Sequence, residues 1–331
     1  MNYVLAVDLG GTKIYSALVG PGDRIINRDV RPTEAARGKD RVVANILASL
    51  EAVLPPGARQ EGRIAGIGVG APGPLDPRTG RIFFAPNLQW HDVNLKEILQ
   101  STLGLPVFLE NDANLAALGE HLYGAGQGYE DLVFITVSTG VGGGLILRGD
   151  IYSGAFGGAG EIGHLVVEPG GPLCSCGNRG CLEAVASGRA LRKKALELIA
   201  AGKGRRIFEL AGGDPEAVDA PVVAQAAHAG DPEARELLAG AGRYLGLAIG
   251  NIANLLNPPL FVIGGGVARG AGGLLLGPAR AEARQHVFPA LRDFLKIVPG
   301  ALRGRAGVLG AAAYARRKLG LREGLEYGPR A

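Results

Sequence analysis

The amino-acid sequence predicts an α/β fold made of two duplicated lobes of the βββαβα type. The chain opens with the apolar strand VLAVDL, a GGTK turn and a second strand, IYSALVG. The same layout returns near Asp131, where the strand DLVFITVS is followed by the turn TGVGGG and the strand LILRGD. Because a repeated order of elements indicates a repeated structural unit, we infer an internal duplication. The 331 residues are enough for about two domains of ordinary size.

The remaining elements follow from hydrophobic periodicity and from residues that break helices and strands. In the first half, we predict a helix over 40–54, a strand over 64–69 that ends in APGPLDPRTG, and the strand PVFLE before a helix over 111–123. In the second half, we predict helices over 189–201, 221–229, 232–255 and 307–318, with the strand LFVIGGG between the last two. Strands and helices therefore occur in both halves, as an α/β fold requires.

The composition excludes several classes of protein. The chain has 47% apolar and 20% charged residues, as ordinary globular proteins do, and its odd number of cysteines, three, argues against a disulfide scaffold. The N-terminal stretch lacks a basic leader and a cleavage site, and no apolar run reaches the roughly 18 residues of a membrane span. We therefore expect a cytoplasmic protein with no membrane partner.

The net charge of +4 does not indicate a nucleic-acid partner. Basic residues are mixed with acidic ones except in short clusters, Arg189–Lys194 and Arg316–Lys318, and both clusters lie in helical segments. We interpret them as solvated helix faces and expect no binding of nucleic acid.

Two turns of small residues are candidate phosphate sites. The first, Asp8-Leu9-Gly10-Gly11-Thr12-Lys13, exposes backbone N–H groups and adds a hydroxyl and a cation, although a plain β-hairpin turn has the same composition. The second, Thr139–Gly144, has the same position in the second repeat. A pair of such turns on duplicated lobes is stronger evidence for polyphosphate binding than either turn alone.

Two further glycine-rich segments need to be distinguished. Gly264, Gly265 and Gly266 follow an apolar strand, where the backbone either approaches a flat nucleoside or makes a tight connection to a helix. The segment GVGAPG at 68–73 matches the dinucleotide fingerprint GxGxxG, but three prolines follow and prevent the helix that the fingerprint requires. We therefore reject a dinucleotide-binding fold.

Polar residues in two segments are candidates for sugar chemistry. In Glu110-Asn111-Asp112, which lies between a strand and a helix, Asp112 can accept a proton from a substrate hydroxyl, and Asn111 or Asp112 can equally cap the helix. Downstream, Glu161, His164 and Glu183 can bind vicinal hydroxyls or can be surface groups.

All three cysteines lie within eight residues of one another. Cys174, Cys176 and Cys181, with His164 upstream, provide three thiolates and one imidazole, which is a complete tetrahedral set for zinc. Free thiols and a disulfide between the two nearest cysteines are the alternatives. Because four protein ligands leave no open position for water, we expect the zinc to be structural.

At this point the motifs resemble the ROK family (repressors, open reading frames and kinases), and in particular its ATP-dependent bacterial glucokinases. The resemblance covers nearly the whole chain and rests on segments that occur in the family's order: DLGGTKI, GVGAPGPLD, PNLQW, END, STGVGGGLIL, GAFGGAGEIGH, CSCGNRGCLE and VIGGGV. It implies the actin-like, ribonuclease-H-like ATPase fold of two lobes. We predict a small lobe over 1–120, completed by a C-terminal helix of about 306–331, and a large lobe over 121–305 with a zinc segment over 164–181.

The resemblance also implies roles for individual residues in phosphoryl transfer from ATP to the 6-hydroxyl of a hexose, with glucose as the favoured substrate. Asp112 is the implied general base. The other implied residues fall into two groups: Asn87, Asn111, Glu161, His164 and Glu183 bind sugar hydroxyls, and Asp8, Gly10, Gly11, Thr12, Lys13, Thr139, Gly140 and Gly265 bind nucleotide and Mg²⁺. The family favours homodimers and homotetramers.

Three alternatives remain at this stage. In the first alternative, the substrate is another hexose (N-acetylglucosamine, N-acetylmannosamine, mannose or fructose), because kinases for these sugars share most of these residues. A sugar-responsive repressor of the same family would carry a DNA-binding domain before the first strand, and we expect none because that strand starts at Tyr3. A chaperone-type or filament-forming ATPase shares the fold but needs neither the END segment nor the zinc ligands.

Overall fold

The computed structural model describes residues 3–56 and 62–321 of the chain. The strands are, in chain order, β1 (Tyr3–Leu9), β2 (Lys13–Val19), β3 (Ile25–Pro32), β4 (Ile64–Ala71), β5 (Leu75–Asp76), β6 (Arg81–Ala85), β7 (Trp90–Asn94), β8 (Val107–Asn111), β9 (Leu132–Val137), β10 (Val141–Leu147), β11 (Asp150–Ile151), β12 (Leu260–Gly264) and β13 (Lys296–Pro299). The helices are α1 (Lys39–Val53), α2 (Leu95–Leu103), α3 (Asp112–Tyr123), α4 (Leu182–Ala186), α5 (Gly188–Ala200), α6 (Arg205–Leu210), α7 (Ala220–His228), α8 (Pro232–Leu256), α9 (Gly266–Ala271), α10 (Gly273–His286) and α11 (Ala306–Lys318). No helix of the described part of the chain is long and apolar enough to cross a membrane.

Two five-stranded sheets have the same topology. The first has the order β3-β2-β1-β4-β8 and the second has the order β11-β10-β9-β12-β13. In both, the first strand of the repeat is central and pairs in parallel with the fourth strand of the sheet, which pairs in parallel with the fifth. The internal duplication predicted from the sequence is therefore present in the strand order. A third sheet, β5-β6-β7, belongs to the first repeat.

The chain divides into two compact units. The first unit contains residues 1–128, 144–159 and 305–331, and the second contains 129–143 and 160–304. In the first unit, apolar side chains of β1, β4 and α1 form one core, with Leu5, Val7, Ile46 and Ile67 fully buried. The units assign 121–128 and 144–159 differently from the lobes inferred above, and the lobe boundary at residue 120 stays a prediction.

Helix α11 packs closely against α3 and β4 within the first unit. A Cβ atom added to Gly310 would lie 1.7 Å from the Leu115 carbonyl oxygen of α3, and one added to Gly119 would lie 2.2 Å from the Ala306 carbonyl oxygen. On the other side, a Cβ on Gly68 of β4 would lie 1.9 Å from the Ala311 carbonyl oxygen. Only glycine permits these backbones to come so close.

The structure corrects two sequence-based interpretations. The predicted turn over 139–144 is shorter, because β10 already begins at Val141 and its glycines continue the strand. The cluster Arg316–Lys318 is not a fully solvated face: Arg316 is 4% exposed, lies 3.1 Å from the Asp23 carboxylate and donates a hydrogen bond of 2.7 Å to the Gly20 carbonyl oxygen. The part of the predicted C-terminal helix over 322–331 lies outside the described residues.

We expect Gly310→Ala to lower the free energy of unfolding by about 2–4 kcal/mol, because the new methyl group has to displace the α3 backbone. The control is Gly240→Ala in α8, where the nearest atom is the flexible tip of Arg243 at 3.7 Å. That change should raise the free energy of unfolding by about 0.5–1 kcal/mol through helix propensity. Urea denaturation of both variants measures the two effects, and equal shifts would contradict the close packing of α11.

Candidate active site

In the first unit, the candidate residues lie at the carboxyl ends of three neighbouring parallel strands. Asp8 of β1 is in register with Gly70 of β4, and Gly70 is in register with Glu110 of β8. Asn111 ends β8 and Asp112 begins α3. Because this edge of a parallel sheet is where α/β proteins bind ligands, the topology brings Asp8, Asn111 and Asp112 to one binding edge.

The turn between β1 and β2 is held by a side chain that no motif marks. The Gly10 N–H donates to the Lys13 carbonyl oxygen at 2.9 Å, which closes the turn. The Thr33 hydroxyl donates to the Gly10 carbonyl oxygen at 2.6 Å, and the Thr33 N–H donates to the Thr12 carbonyl oxygen at 3.0 Å. Since Thr33 is fully buried, it fixes the turn from below while Thr12 and Lys13 stay exposed.

Asp8 has an unusual electrostatic environment. Burial raises its pKa to about 6, and the nearby Lys13 cation offsets part of this effect. A Cβ added to Gly307, in the first turn of α11, would lie 2.6 Å from Asp8 Oδ2. Burial removes water from this carboxylate and makes its ionisation costly. A bound cation compensates for the lost hydration, so such a carboxylate is a strong cation ligand.

Asn87 lies beside the same turn. It belongs to a short 3₁₀ turn after β6, and its side chain is exposed. A Cβ added to Gly11 would lie 2.9 Å from the Asn87 Cβ. The structure therefore brings the PNLQW segment, assigned to the sugar from the sequence, into contact with the first glycine-rich turn.

At the N-terminus of α3, the hydrogen bonds show which residue caps the helix. The Asn111 side chain accepts from the N–H groups of Ala113 and Asn114 at 2.9 and 3.2 Å and so caps the helix. Asp112 is the first helical residue, and its Oδ1 also accepts from the Ala113 N–H at 2.8 Å. The sequence left open whether Asn111 or Asp112 caps the helix, and the structure assigns the cap to Asn111.

Glu110 supports this helix start from within the core. It is 2% exposed, and its Oε1 accepts hydrogen bonds of 2.9 Å from the Asn111 N–H and from the Asn114 side chain. Ser153 approaches its other oxygen at 3.4 Å. Burial raises the pKa of Glu110, and the Asn114 hydrogen bond opposes that shift.

In the second unit, the turn between β9 and β10 is anchored by the start of α5. The Gly188 N–H donates to the Ser138 carbonyl oxygen at 2.8 Å, and the Arg189 N–H donates to the Thr139 carbonyl oxygen at 3.3 Å. Next to this turn, Gly265 has a φ of 96°, and a Cβ there would lie 2.2 Å from the Val137 carbonyl oxygen. Gly265 thus makes the tight connection from β12 to α9 that the sequence left as one alternative.

His164 and the three cysteines form a cluster that fits one tetrahedral metal ion. Their ligand atoms all lie within 4.8 Å of one another, with His164 Nδ1 and Cys174 Sγ 3.7 Å apart and Cys176 Sγ and Cys181 Sγ also 3.7 Å apart. Metal–sulfur bonds of about 2.3 Å in a tetrahedron place sulfur atoms about 3.8 Å apart, close to the observed spacing. Burial and the neighbouring thiols raise the pKa of Cys181 to about 12, whereas a hydrogen bond from the Asn178 backbone lowers the pKa of Cys176.

The imidazole of His164 faces two groups. Nδ1 points to the cysteines, whereas Nε2 lies 3.9 Å from Glu161 Oε2. Burial raises the pKa of Glu161, the His164 ring opposes the shift, and the negative charge of Glu183 adds to it. Glu161, His164 and Glu183 therefore belong to one electrostatic group beside the cysteine cluster.

Glu183 connects the cysteine cluster to the turn. Its Oε2 accepts from the Val141 N–H at 3.0 Å, and its Oε1 accepts from the Ser175 hydroxyl at 3.3 Å and from Arg189 Nη2 at 2.8 Å. A Cβ on Gly140 would lie 2.3 Å from Glu183 Oε2, so Gly140 makes room for the carboxylate. Two residues that the sequence assigned to different ligands, Gly140 and Glu183, are thus in contact.

The comparisons with known proteins agree with this architecture. The family model described as "ROK family" matches residues 4–318. The chain belongs to the ROK family. A glucokinase from Thermotoga maritima is 37% identical over 318 residues, which cover 96% of this chain and 98% of that protein. The resemblance inferred from the sequence motifs is confirmed.

Two solved structures are similar over nearly the whole chain. The first is a ROK family glucokinase from Streptomyces griseus in complex with glucose and AMPPNP, with a TM-score of 0.85, 36% identity, and coverage of 95% of this chain and 99% of that chain. The second is a ROK hexokinase from Thermus thermophilus, with a TM-score of 0.76, 38% identity, and coverage of 96% and 99%. The predicted fold class, the two-lobed actin-like ATPase fold with duplicated βββαβα lobes, is confirmed.

Sequence reasoning missed the residues that hold the site residues in place. Thr33, Ser175 and Arg189 each bond to a candidate residue or turn; Thr33 and Arg189 lie outside the quoted motifs, and Ser175 lies between two cysteines but is not itself a predicted ligand. Arg189 was included in a basic cluster interpreted as solvated, yet its guanidinium pairs with Glu183. The position of Arg189 two residues after a helix-capping serine, Ser187, was the available signal that it starts a helix near the site.

We expect Asp8→Asn to change how stability depends on pH. The folded-state pKa of Asp8 is raised, so ionisation of Asp8 destabilises the folded protein as pH rises from about 4 to above 6. Relative to the parent, Asp8→Asn should gain about 2 kcal/mol of unfolding free energy between pH 4 and pH 7.5. Urea denaturation at both values measures this.

Asp29→Asn is the control for the Asp8 prediction. A hydrogen bond from the Arg31 side chain lowers the pKa of Asp29, so its stabilising effect is lost mainly below pH 4, and that variant should change little in relative stability between pH 4 and pH 7.5. A gain in Asp29→Asn as large as that in Asp8→Asn would contradict the assignment of Asp8.

Proposed function

We propose that the protein is an ATP-dependent kinase that transfers the γ-phosphoryl group to the 6-hydroxyl of glucose. The observation that carries the proposal is the helix start at β8, where Asn111 provides the cap and Asp112 lies at the ligand-binding edge of the sheet. The glucokinases that are similar over almost the full chain support the choice of sugar and of donor.

In this proposal, Asp112 is the general base that accepts the proton of the 6-hydroxyl. A positioned base contributes about 10²- to 10⁴-fold in rate. The α3 N-terminus favours the ionised form of a carboxylate there, because the helix dipole is positive at that end. Asn87, Asn111, Glu161, His164 and Glu183 are the proposed ligands of the remaining sugar hydroxyls.

Phosphoryl transfer otherwise requires alignment and charge neutralisation. The proposed nucleotide residues lie in three segments: Asp8, Gly10, Gly11, Thr12 and Lys13 in the first turn, Thr139 and Gly140 in the second, and Gly265 after β12. Asp8 fits a role in holding Mg²⁺, since its pKa is raised in the free protein. Mg²⁺ would neutralise phosphate charge during transfer.

We propose further that the cysteine cluster holds a structural zinc ion. Support comes from the donor set, three sulfurs and one imidazole nitrogen, and from sulfur spacing that matches a tetrahedron. Zinc would fix the His164 ring with Nε2 toward the sugar ligands, and so shape a binding site without taking part in transfer.

The other expectations remain predictions. These are a place in hexose metabolism at the entry to glycolysis, a cytoplasmic location, and assembly as a homodimer or homotetramer, which sedimentation analysis tests. The alternative substrates are tested by kcat/KM over a panel of hexoses and N-acetylhexosamines. ATP hydrolysis that does not depend on an added sugar would favour the ATPase alternative instead.

We expect Asp112→Asn to lower kcat by at least about 10²-fold while glucose affinity changes by less than about threefold, because only proton acceptance is lost. The control is Glu197→Gln, which replaces an exposed acidic residue of α5 that lies 3.9 Å from Lys193. Steady-state kinetics with a coupled assay and calorimetric binding of glucose measure both quantities. An Asp112→Asn enzyme with near-parental kcat would refute the assignment.

We expect Cys176→Ala to release the metal and weaken sugar binding about tenfold or more, with little change in nucleotide affinity, because the metal organises the segment that carries His164 and Glu183. Elemental analysis of the purified protein measures zinc per chain, and calorimetry measures glucose and nucleotide binding. Ser153→Ala, on the first unit, is a control that should retain zinc. Fully active parent protein without zinc would overturn the proposal.

A further inference from the structure

Arg189 lies where the second glycine-rich turn, the cysteine segment and α5 meet. It is in the first turn of α5, and its own N–H donates to the Thr139 carbonyl oxygen at 3.3 Å. Its guanidinium Nη2 lies 2.8 Å from Glu183 Oε1. The same Nη2 would be 3.8 Å from a Cβ on Gly140, so the cation is directly beside the turn.

The ion pair between Arg189 and Glu183 contributes little to stability. The Arg189 side chain is 49% exposed and that of Glu183 is 14% exposed. Pairs with a partner this exposed contribute about 0–1 kcal/mol, because water already solvates the charges and screens their attraction. The pair therefore acts on the orientation of Glu183. Arg189 holds Oε1 while the Val141 N–H holds Oε2, and the two contacts together prevent rotation of the carboxylate about the Cγ–Cδ bond.

The donors around Glu183 limit how it can bind a sugar. An ionised carboxylate has about four lone-pair positions. The Val141 N–H, the Ser175 hydroxyl and Arg189 Nη2 occupy three of them, at 3.0, 3.3 and 2.8 Å. About one position remains for a donor such as a sugar hydroxyl, and its direction is set by the other three.

We propose that Arg189 is a positioning residue for sugar recognition: it holds the Glu183 carboxylate so that its remaining lone pair points to one hydroxyl of the hexose. The inference rests on the proposed kinase function and deepens it by one residue. Without Arg189, Ser175 alone remains on Oε1, at the longest of the three distances, and the carboxylate turns more freely. A misplaced ligand group of this kind costs about 10-fold or more in binding and alignment.

The test is a double-mutant cycle with Arg189→Ala and Glu183→Gln, measured by steady-state kinetics with glucose and ATP. Arg189→Ala should raise the KM for glucose about tenfold and change the KM for ATP less than about twofold. In the Glu183→Gln background, the same substitution should change the KM for glucose less than about twofold, because Arg189 acts through Glu183. Thermal denaturation and zinc content establish that each variant is folded.

The matched control is Lys193→Ala on the same helix, which lies 3.9 Å from the exposed Glu197, and it should leave both KM values unchanged. Multiplicative effects in the double variant, or a larger change in the KM for ATP than for glucose, would overturn the proposal, since Arg189 would then act on the nucleotide directly. Parental KM values in Arg189→Ala would also overturn it. A parent protein that phosphorylates no hexose would instead refute the proposed function itself.

Discussion

The close packing of α11 against α3 and β4 sets the geometry of the first unit. Gly310 of α11 faces the α3 backbone, and Gly68 of β4 faces the α11 backbone, at distances that leave no space for a side chain. The same helix places Gly307 beside the Asp8 carboxylate, and α3 begins with the proposed base. The C-terminal helix therefore positions both carboxylates, although it follows β1 by about 300 residues in the sequence.

The second unit depends on a different kind of interaction. Here one carboxylate, Glu183, accepts hydrogen bonds from a glycine-rich turn, from the cysteine segment and from α5. Because these three parts of the chain converge on one side chain, the metal and sugar sites of the proposed function would be physically linked through Glu183. Gly140 is required in the turn for the same reason, since any side chain there would occupy the position of the carboxylate.

Asp8 and Cys181 have raised pKa values that a bound cation would lower. Burial raises the pKa of Asp8 to about 6, and burial together with the neighbouring thiols raises the pKa of Cys181 to about 12. Cations at these places would remove the cost, through Mg²⁺ in the first case and zinc in the second under the proposed function. Local features that reduce stability are common where a protein binds its ligands, and here they coincide with the predicted site residues.

The sequence alone determined the duplicated fold, the helices and strands with clear periodicity, and the four residues of the histidine and cysteine cluster. Periodicity is a local property, and residue types such as cysteine or the END segment carry their chemistry with them. Only the tertiary structure decided that Asn111 caps α3, that Thr33 closes the first turn and that Arg189 pairs with Glu183. It also decided that Arg316, assigned to a solvated face, is buried against Asp23. These partners are separated in the sequence or lack a motif, so they depend on packing that no local pattern records.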